Sequence, residues 1–384
     1  MRPNRWLAGA LVLLALGLAA LLTGRVLDDR RIRLRTLVTL DPPPSVLQVS
    51  REGAELSVTG AVLRPALPDG TVVLRAWMPT PAIRVVGTAS AAEVRLRVEN
   101  LPRRATPAAS GPVRESRSGT ARTLVFDPRQ TGRLAFTFSE RGVTFAVLGD
   151  TGNSHVFGEA LHVAGLAGAD FFVHAGDLVY EDWQMPAIAW LLAQSEVPVY
   201  VVRGNHDYRN AERIAFMRAL GPPYFVICAG GATIVVLDNG GEYLPTFWRR
   251  STQYRWWREQ LAEPRAGPLF VAMHKPPFDR RVGPRSAPML DPPFARQLMA
   301  DFKTAGVDAV FTGHVHETHR WVEDGIPYVV SGEGMPYPER SQGSRMAWVR
   351  VDGWNVSIEQ VPIWRRGIGT AGSVDLAPAR GQED

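Results

Sequence analysis

The sequence predicts an α/β fold in which helices cover the faces of a sheet, preceded by a small all-β domain and an N-terminal transmembrane helix. After Gly142, short apolar strands alternate with helical segments, and in such a chain the helices cover the sheet faces. Between about residues 40 and 140, stretches of period-two alternation are separated by turn residues, which is typical of an antiparallel β-sandwich. The first 24 residues contain an uninterrupted apolar run.

The apolar run extends from Trp6 to Thr23, 18 residues without a charge. As a helix it would be about 27 Å long, nearly the thickness of a bilayer core. A cleaved signal peptide has a shorter apolar region and a small-x-small cleavage site after it. No good site of that kind follows the run, so the sequence favours an uncleaved anchor over residues 1–24 and a linker over residues 25–39. A cleaved signal is the alternative.

The orientation of this anchor depends on two opposing observations. Arginines are more numerous after the run than before it, which taken literally places the body of the protein in the cytoplasm. Export signals, however, occur at the start of a chain. We therefore expect a membrane-anchored protein whose body is extracytoplasmic, in the periplasm or at the cell surface.

Composition excludes several classes of protein. The 384 residues are enough for two or three domains. All but two of the 43 cations are arginines, the lysines being Lys275 and Lys303. These arginines are scattered among acids, whereas a nucleic-acid surface needs a cationic stripe, so we expect no nucleic-acid partner. The single cysteine, Cys228, cannot form an internal disulfide. The oligomeric state cannot be read from the sequence.

Residues 40–140 are predicted to form the β-sandwich domain. Its predicted strands are 55–59, 72–77, 94–98, 123–126 and 133–138. The stretch from Pro102 to Thr120 is rich in Pro, Ala, Ser, Gly and Arg, and such a composition predicts a long loop.

Residues 141–363 are predicted to form the α/β domain, and residues 364–384 a disordered tail. The predicted strands are 144–148, 170–173, 197–202, 232–237, 269–273, 309–311, 327–330 and 347–351. The predicted helices are 156–166, 187–194, 211–220, 252–263 and 294–304. Trp256 and Trp257 lie in a predicted helix and are expected in the core.

Residues that can bind metals follow five of these predicted strands. Ligands gather at the carboxyl ends of strands in open α/β sheets, and a glycine before such a residue permits a sharp turn or a close backbone approach. Each motif alone is weak evidence, because a strand that ends in Gly-Asp is also a common turn. The five motifs in order make coincidence improbable. They are Gly149-Asp150, Gly176-Asp177 with Tyr180, Gly204-Asn205-His206, His274, and Gly313-His314 with His316.

These five motifs resemble those of the calcineurin-like metallophosphoesterase superfamily, and within it the purple acid phosphatase branch. Most of the superfamily has Asp-x-His in the first motif, whereas this chain has Gly152 at the histidine position and Tyr180 three residues after Asp177. That pairing of a lost and a gained ligand is typical of the purple branch. The resemblance covers about residues 142–362 and implies a metallophosphoesterase β-sandwich flanked by helices. The segment Val94–Pro102 resembles, more loosely, the fibronectin-like or Ig-like domain of plant-type members.

The resemblance implies two metal ions, Fe(III) and a divalent ion that is Fe, Zn or Mn. The first metal would be bound by Asp150, Asp177, Tyr180 and His316. The second would be bound by Asp177, Asn205, His274 and His314, so Asp177 bridges. The alternative for Tyr180 is that its ring packs and its hydroxyl forms an ordinary hydrogen bond.

The resemblance also implies catalytic residues. The family histidine that matches His206 faces the substrate, where it can protonate the leaving oxygen or stabilise the transition state. Asp207 is the second candidate catalytic residue, and it either orients His206 or caps the following helix. His155 and His319 lie on motif loops and are candidates for the pocket wall, whereas His162 and His174 are expected to be structural. The arginines between Pro276 and Pro292 either contact substrate phosphate or lie on a solvated loop.

The function implied is metal-dependent hydrolysis of phosphoric esters, in particular phosphomonoesters, by in-line attack of a water that the metals activate. One alternative is a phosphodiesterase that acts on nucleotides or lipid headgroups. A further alternative is a non-catalytic envelope module that binds glycan or protein. The complete set of ligand residues argues against that last alternative.

Overall fold

The computed structural model describes residues 46–51, 53–138, 142–208, 212–241, 252–281, 287–335, 343–363 and 375–376. The predicted anchor, linker and most of the predicted tail lie outside these ranges. Within them, no helix is both long and apolar enough to cross a bilayer. From the predicted tail, residues 375 and 376 form a short strand against the end of the preceding hairpin.

Ten strands before residue 138 form two five-stranded sheets, in the orders β1-β2-β5-β10-β7 and β3-β4-β6-β9-β8. In β6 the side chains of Val94, Leu96 and Val98 are buried and alternate with more exposed residues, as period-two alternation predicts. The buried side chains of both sheets form one apolar cluster. The strands are β1 (Leu47–Arg51), β2 (Ala54–Thr59), β3 (Ala61–Arg64), β4 (Val72–Ala76), β5 (Ala82–Gly87), β6 (Val94–Glu99), β7 (Thr106–Ala109), β8 (Val113–Ser118), β9 (Ala121–Phe126) and β10 (Arg133–Thr137).

The prediction of a long loop from Pro102 to Thr120 was wrong, because β7 and β8 lie within it. Strand β8 is an edge strand that pairs with β9 in a hairpin. Its side chains are exposed along almost its whole length. An edge strand with little buried surface needs no apolar alternation, so the sequence carried no strand pattern there.

Twelve further strands form two six-stranded sheets. The first has the order β13-β12-β11-β20-β21-β22 and the second the order β14-β15-β16-β17-β19-β18. Their bounds are β11 (Val143–Leu148), β12 (Phe171–His174), β13 (Val199–Val201), β14 (Phe225–Ala229), β15 (Ala232–Val236), β16 (Leu269–Ala272), β17 (Ala309–Thr312), β18 (Thr318–Glu323), β19 (Ile326–Ser331), β20 (Arg345–Asp352), β21 (Asn355–Pro362) and β22 (Asp375–Leu376).

The two sheets pack face to face, and helices cover their outer faces. Phe145 of the first sheet lies edge-on against Phe270 and Phe311 of the second, with ring centroids 5.9 Å apart in both pairs. The outer face of the first sheet packs on α1 (His155–Leu166), α2 (Met185–Gln194) and α3 (Glu212–Leu220). The outer face of the second packs on α4 (Thr252–Ala262) and α5 (Pro292–Ala305). The layers therefore follow the order α/β/β/α.

The predicted helices of this region are confirmed to within two residues at each end. The prediction that Trp256 and Trp257 belong to the core is also confirmed, since Trp257 is buried and Trp256 is half-buried against the same cluster. The strands missed by the sequence reading include β14, which forms a hairpin with β15, and the edge strand β18. Strand β18 is half-buried on both faces, so its sequence lacks apolar alternation.

Candidate metal centre

The predicted site residues all follow the carboxyl ends of parallel strands. In the first sheet, β11, β12 and β13 are parallel, and Asp150, Asp177 and Asn205 stand in the loops after them. In the second sheet, β16 and β17 are parallel, and His274 and His314 follow them. Because the sheets pack face to face, these loops meet at one edge of the sandwich.

Four of the predicted ligands have left-handed backbone conformations. Their φ angles are 59° at Asp150, 57° at Asp177, 72° at His314 and 50° at His316. Non-glycine residues rarely adopt positive φ, and such strain is concentrated at functional sites. The conformations aim these four side chains into a common centre.

Glycines next to the ligands permit contacts that a side chain would block. A Cβ on Gly204 would lie 2.2 Å from both the backbone N and Oδ1 of Asp177. The backbone of the Asn205 loop therefore passes directly against the Asp177 carboxylate. The sequence reasoning that a glycine before each ligand permits close approach is supported at this position.

The first cluster of ligand atoms comes from Asp150, Asp177 and His316, whose ligand atoms lie within 4.8 Å of one another. His316 Nε2 is 3.6 Å from Asp150 Oδ1. Asp150 is fully buried, and its Oδ2 accepts a 2.7 Å hydrogen bond from the backbone N–H of His314. Its Oδ1 is buried and has no hydrogen-bond partner among the described residues. A buried carboxylate oxygen without a donor is expensive, and a bound cation would satisfy it.

The second cluster comes from Asp177, His274 and His314, again within 4.8 Å. His274 Nδ1 is 2.9 Å from the carbonyl oxygen of Ala175, and its Nε2 is 3.4 Å from Asp177 Oδ1 and 3.1 Å from Asn205 Oδ1. When Nδ1 donates to that carbonyl, Nε2 directs its lone pair at two oxygen atoms. A cation between His274 Nε2 and these two oxygen atoms would remove the repulsion between their lone pairs. The Ala175 carbonyl oxygen at Nδ1 is the hydrogen-bond acceptor that the other ring nitrogen of a metal-binding histidine usually has.

The charges in this site are not balanced by the protein alone. Burial raises the pKa of Asp150 well above its usual value, and the carboxylate of Asp177 adds to that effect. Burial would lower the pKa of His274, but the neighbouring Asp177 outweighs it and raises the pKa to about 9. A proton on His274 thus offsets part of the negative charge when no cation does. Both clusters fit metal ions, and Asp177 belongs to both.

Tyr180 stands beside the first cluster. Its hydroxyl oxygen is 3.1 Å from His316 Nε2. A Cβ on Gly152, which has φ +48°, would lie 2.7 Å from Cδ2 of the Tyr180 ring. The ring therefore occupies the space that a side chain at position 152 would enter. This contact gives a physical reason why a glycine at position 152 accompanies a tyrosine at position 180.

His206 lies at the open side of the two clusters, with its side chain 24% exposed. Its backbone N–H donates a 2.8 Å hydrogen bond to Asp177 Oδ1, and its ring centroid is 4.3 Å from that of Tyr180. Its Nε2 is 3.9 Å from Asp177 Oδ2. The imidazole is accessible to a substrate and adjoins the clusters.

Asp207 has a different role from the two that the sequence suggested. It is buried, and its carboxylate accepts hydrogen bonds from the backbone N–H groups of Asp177, Val179 and Gly204 at 3.0, 2.8 and 2.8 Å. These donors belong to the loops after β12 and β13. Asp207 therefore connects the backbones of the two loops that carry Asp177 and Asn205, and it is a positioning residue.

Sequence reasoning missed Asn239, which is buried after β15. Its Oδ1 accepts hydrogen bonds from the backbone N–H groups of His274 at 2.9 Å and Lys275 at 3.0 Å, and its Nδ2 donates to the Lys275 carbonyl at 2.7 Å. These bonds hold the loop that carries His274. The signal was present, since Leu237-Asp238-Asn239 ends an apolar strand in the same way as the other motifs.

The remaining histidines lie apart from the two clusters. His155 begins α1 and His162 is an exposed residue of the same helix. His174 is fully buried, with Nε2 2.8 Å from Thr151 Oγ1, and burial lowers its pKa to about 3. His319 lies on β18, where its Nε2 contacts Glu317.

The loop arginines that were candidates for contacting phosphate have acidic partners. Arg280 pairs with Glu323, and Arg281 pairs with Asp279 and Glu317. Arg285, the third arginine of that loop, lies outside the described residues. The two described arginines therefore act mainly in holding the loop to β18 and the segment before it.

Comparisons with known proteins agree with this geometry. The family model described as calcineurin-like phosphoesterase matches residues 143–318. Serine/threonine-protein phosphatase CPPED1 of Rattus norvegicus is 29% identical over 185 residues, and that of Bos taurus is 33% identical over the same length. Each match covers 42% of this chain and 58% of the relative, so the chain spans just over half the length of these curated relatives.

Among solved structures, a structure of PhoD superposes with a TM-score of 0.50 at 11% identity, covering 84% of this chain and 92% of that chain. At that identity the likeness shows the fold alone. The family match includes all the strands of the first sheet that precede Asp150, Asp177 and Asn205, and it extends past His316. Residues 143–318 of this chain are therefore similar to calcineurin-like phosphoesterase domains.

Proposed function

We propose that this chain is a dinuclear metallophosphoesterase that hydrolyses phosphate monoesters. The observation that carries the proposal is the position of the Asp177 carboxylate, which belongs to both clusters of ligand atoms. A shared carboxylate holds two cations close together, and two-metal phosphoesterase sites have metals about 3.5–4 Å apart. The calcineurin-like family match supports the same reaction class.

The residues that would hold the first metal are Asp150, Asp177, Tyr180 and His316. Those that would hold the second are Asp177, Asn205, His274 and His314. Bound metal ions polarise the phosphoryl oxygens and lower the pKa of a coordinated water. The first set is rich in anionic oxygen donors, which favours Fe(III), whereas the imidazoles and amide of the second favour a divalent ion such as Fe, Zn or Mn.

The protein's own contribution is to position the substrate and supply a proton. His206 is accessible, and its ring lies against Tyr180 beside the shared carboxylate. From there it can donate a proton to the leaving oxygen of the ester or stabilise charge that develops on the phosphoryl group. Asp207 and Asn239 hold the backbones of the ligand loops, so that the ligand atoms need little rearrangement.

The preference for monoesters rests on the relatives. They are named serine/threonine-protein phosphatases, and phosphoserine and phosphothreonine are phosphate monoesters. We therefore include phosphorylated serine and threonine side chains in the proposed substrate class.

The test is to express the full chain, quantify its metals and measure hydrolysis of aryl phosphate monoesters, diesters and a phosphoserine peptide. We expect about two metals per chain and faster turnover of monoesters. Asp177→Asn should lose metal from both sites and most of its activity, while the exposed Asp352→Asn should retain both. A wild-type preference for diesters would refute the substrate class. An Asp177→Asn protein with two metals and normal turnover would refute the dinuclear centre.

A further inference from the structure

A cavity of about 320 Å³ lies between the outer face of the sheet β3-β4-β6-β9-β8, one side of α2 and the carboxyl-terminal end of α3. Its lining residues come from the sheet, from these helices and from the turns that follow β6, β8 and α2, and none of them is a predicted ligand of the metal centre. Three arginines, Arg64, Arg75 and Arg97, line it. The cavity therefore combines a recess with three arginines, against which its lining sets two acids, Glu99 and Glu196.

The strand register explains why these arginines are together. Arg64 of β3 is opposite Val73 of β4, which in turn is opposite Arg97 of β6. Arg75 lies two residues after Val73, so its side chain points to the same face of the sheet. The opposite face packs in the apolar core of the two sheets, and the arginines consequently point away from it towards the helices.

Arg75 is held rigidly in the wall of the cavity. It is 6% exposed, and its Nη1 and Nη2 donate hydrogen bonds to the carbonyl oxygens of Leu220 at 3.3 Å and Val199 at 2.9 Å. Both bonds are to neutral groups. Burial lowers its pKa to about 10 and Arg64 adds to that shift, whereas Tyr200 and, to a smaller extent, Glu99 oppose it. Arg75 thus remains a cation that forms no hydrogen bond or ion pair with a carboxylate among the described residues.

The acids in the cavity do not balance the arginines. Glu99 accepts a 2.8 Å hydrogen bond from Arg97, so that pair is internally neutral. Glu196 bonds to Arg103, a residue outside the lining, at 2.8 Å. Among the described residues, Arg64 has neither a hydrogen bond nor an ion pair from its side chain. Among the described residues, Arg64 and Arg75 are therefore two neighbouring cations that form no ion pair with a carboxylate, although the charge of Glu99 also acts on Arg75.

We propose that this cavity is a binding site for a phosphate group, separate from the metal centre. Two arginines that repel each other across a recess attract a multiply charged oxyanion, and guanidinium groups bind phosphate with charge-assisted hydrogen bonds. The part of the wall formed by Met185, Leu192 and Leu220 is apolar. The group is either free inorganic phosphate or the phosphoryl group of a small organic molecule. The proposal does not depend on the proposed hydrolase activity.

The test counts phosphate bound to the metal-loaded full chain by equilibrium dialysis with labelled inorganic phosphate. We expect two phosphates per chain in the wild type, one at the metal centre and one in the cavity. Arg64→Gln should weaken the second by roughly tenfold or more, the effect of losing one charge-assisted contact. Inhibition of hydrolysis by phosphate should be unchanged, because it reports the metal centre. Arg95→Gln, an exposed arginine on the same strand as Arg97, is the matched control.

Arg64→Gln is expected to fold, since its side chain has no bond to the described residues, and equal thermal unfolding midpoints without phosphate would verify this. Displacement of the cavity phosphate by propylphosphonate would identify an organic phosphoryl group as the ligand, and failure to displace it would identify free phosphate. Phosphate binding that is the same in wild type, Arg64→Gln and Arg95→Gln would overturn the proposal. If the metal centre binds no phosphate, the wild type should still bind one and Arg64→Gln should lose it.

Discussion

Replacing Asp207 with asparagine tests whether one buried carboxylate holds the metal centre together. The substitution keeps the shape of the side chain and exchanges one oxygen for an NH₂ group. Three backbone N–H groups donate to the wild-type carboxylate, two of them to Oδ2 and one to Oδ1. If the amide oxygen takes the Oδ2 position, its NH₂ group faces the N–H of Val179, so one bond is lost and two lose their charge assistance.

The expected loss follows from these contacts. Hydrogen bonds to a charged group contribute about 1.5–3 kcal/mol each, and neutral ones about 0.5–1.5 kcal/mol. Losing one such bond and weakening two by about 1–1.5 kcal/mol each gives a decrease of about 3.5–6 kcal/mol in the free energy of unfolding. Asparagine also removes the cost of burying a charge, which places the expected value towards the lower end of that range.

The assay is urea unfolding of metal-loaded protein at about pH 8. Burial and the neighbouring Asp177 raise the pKa of Asp207 to about 7, so at that pH the wild-type side chain is ionised. The control is Asp352→Asn, which is exposed at the end of β20 and should change stability by no more than about 0.5 kcal/mol. Metal content should fall in Asp207→Asn, because Asp207 holds the backbone of the neighbouring loop that carries Asp177. Equal stability and equal metal content in wild type and Asp207→Asn would refute the positioning role.

Three further predictions concern single side chains. His206→Ala should lower turnover by roughly 100- to 10,000-fold with both metals retained; loss of one metal equivalent would instead make His206 a ligand. Iron-loaded, oxidised protein should show a broad visible band that disappears in Tyr180→Phe, and a colourless wild type with iron in both sites would remove Tyr180 from the ligand set. The folded state keeps His174 neutral with a pKa of about 3, while an unfolded histidine has a pKa of about 6.5. Protons therefore favour the unfolded state, and stability should fall as the pH decreases from about 6.5 towards 3, by up to about 1.4 kcal/mol per unit. His174→Gln should show a shallower decrease in urea titrations, and an unchanged slope would contradict the argument.

The sequence by itself determined the elements whose side chains are buried with a regular period. The helices α1 to α5 and the strands β11, β12, β16 and β17 were predictable because their apolar residues face a core. It also determined the candidate ligands, because aspartate, asparagine and histidine follow the ends of those strands. The carboxyl ends of parallel strands lie at the same edge of a sheet. Local sequence pattern and chain order were therefore enough to place these side chains together.

Only the tertiary structure decided the features that depend on contacts between distant segments. The edge strand β8 has little buried surface and so leaves no apolar pattern. Asp207 resembles a helix cap in the sequence, and its backbone donors 28 and 30 residues earlier become visible only when the loops are packed. Arg64, Arg75 and Arg97 are scattered arginines in the sequence, and the register of three strands collects them on one face. Hydrogen bonds and charges between distant residues have no sequence period, which is why local pattern could not reveal them.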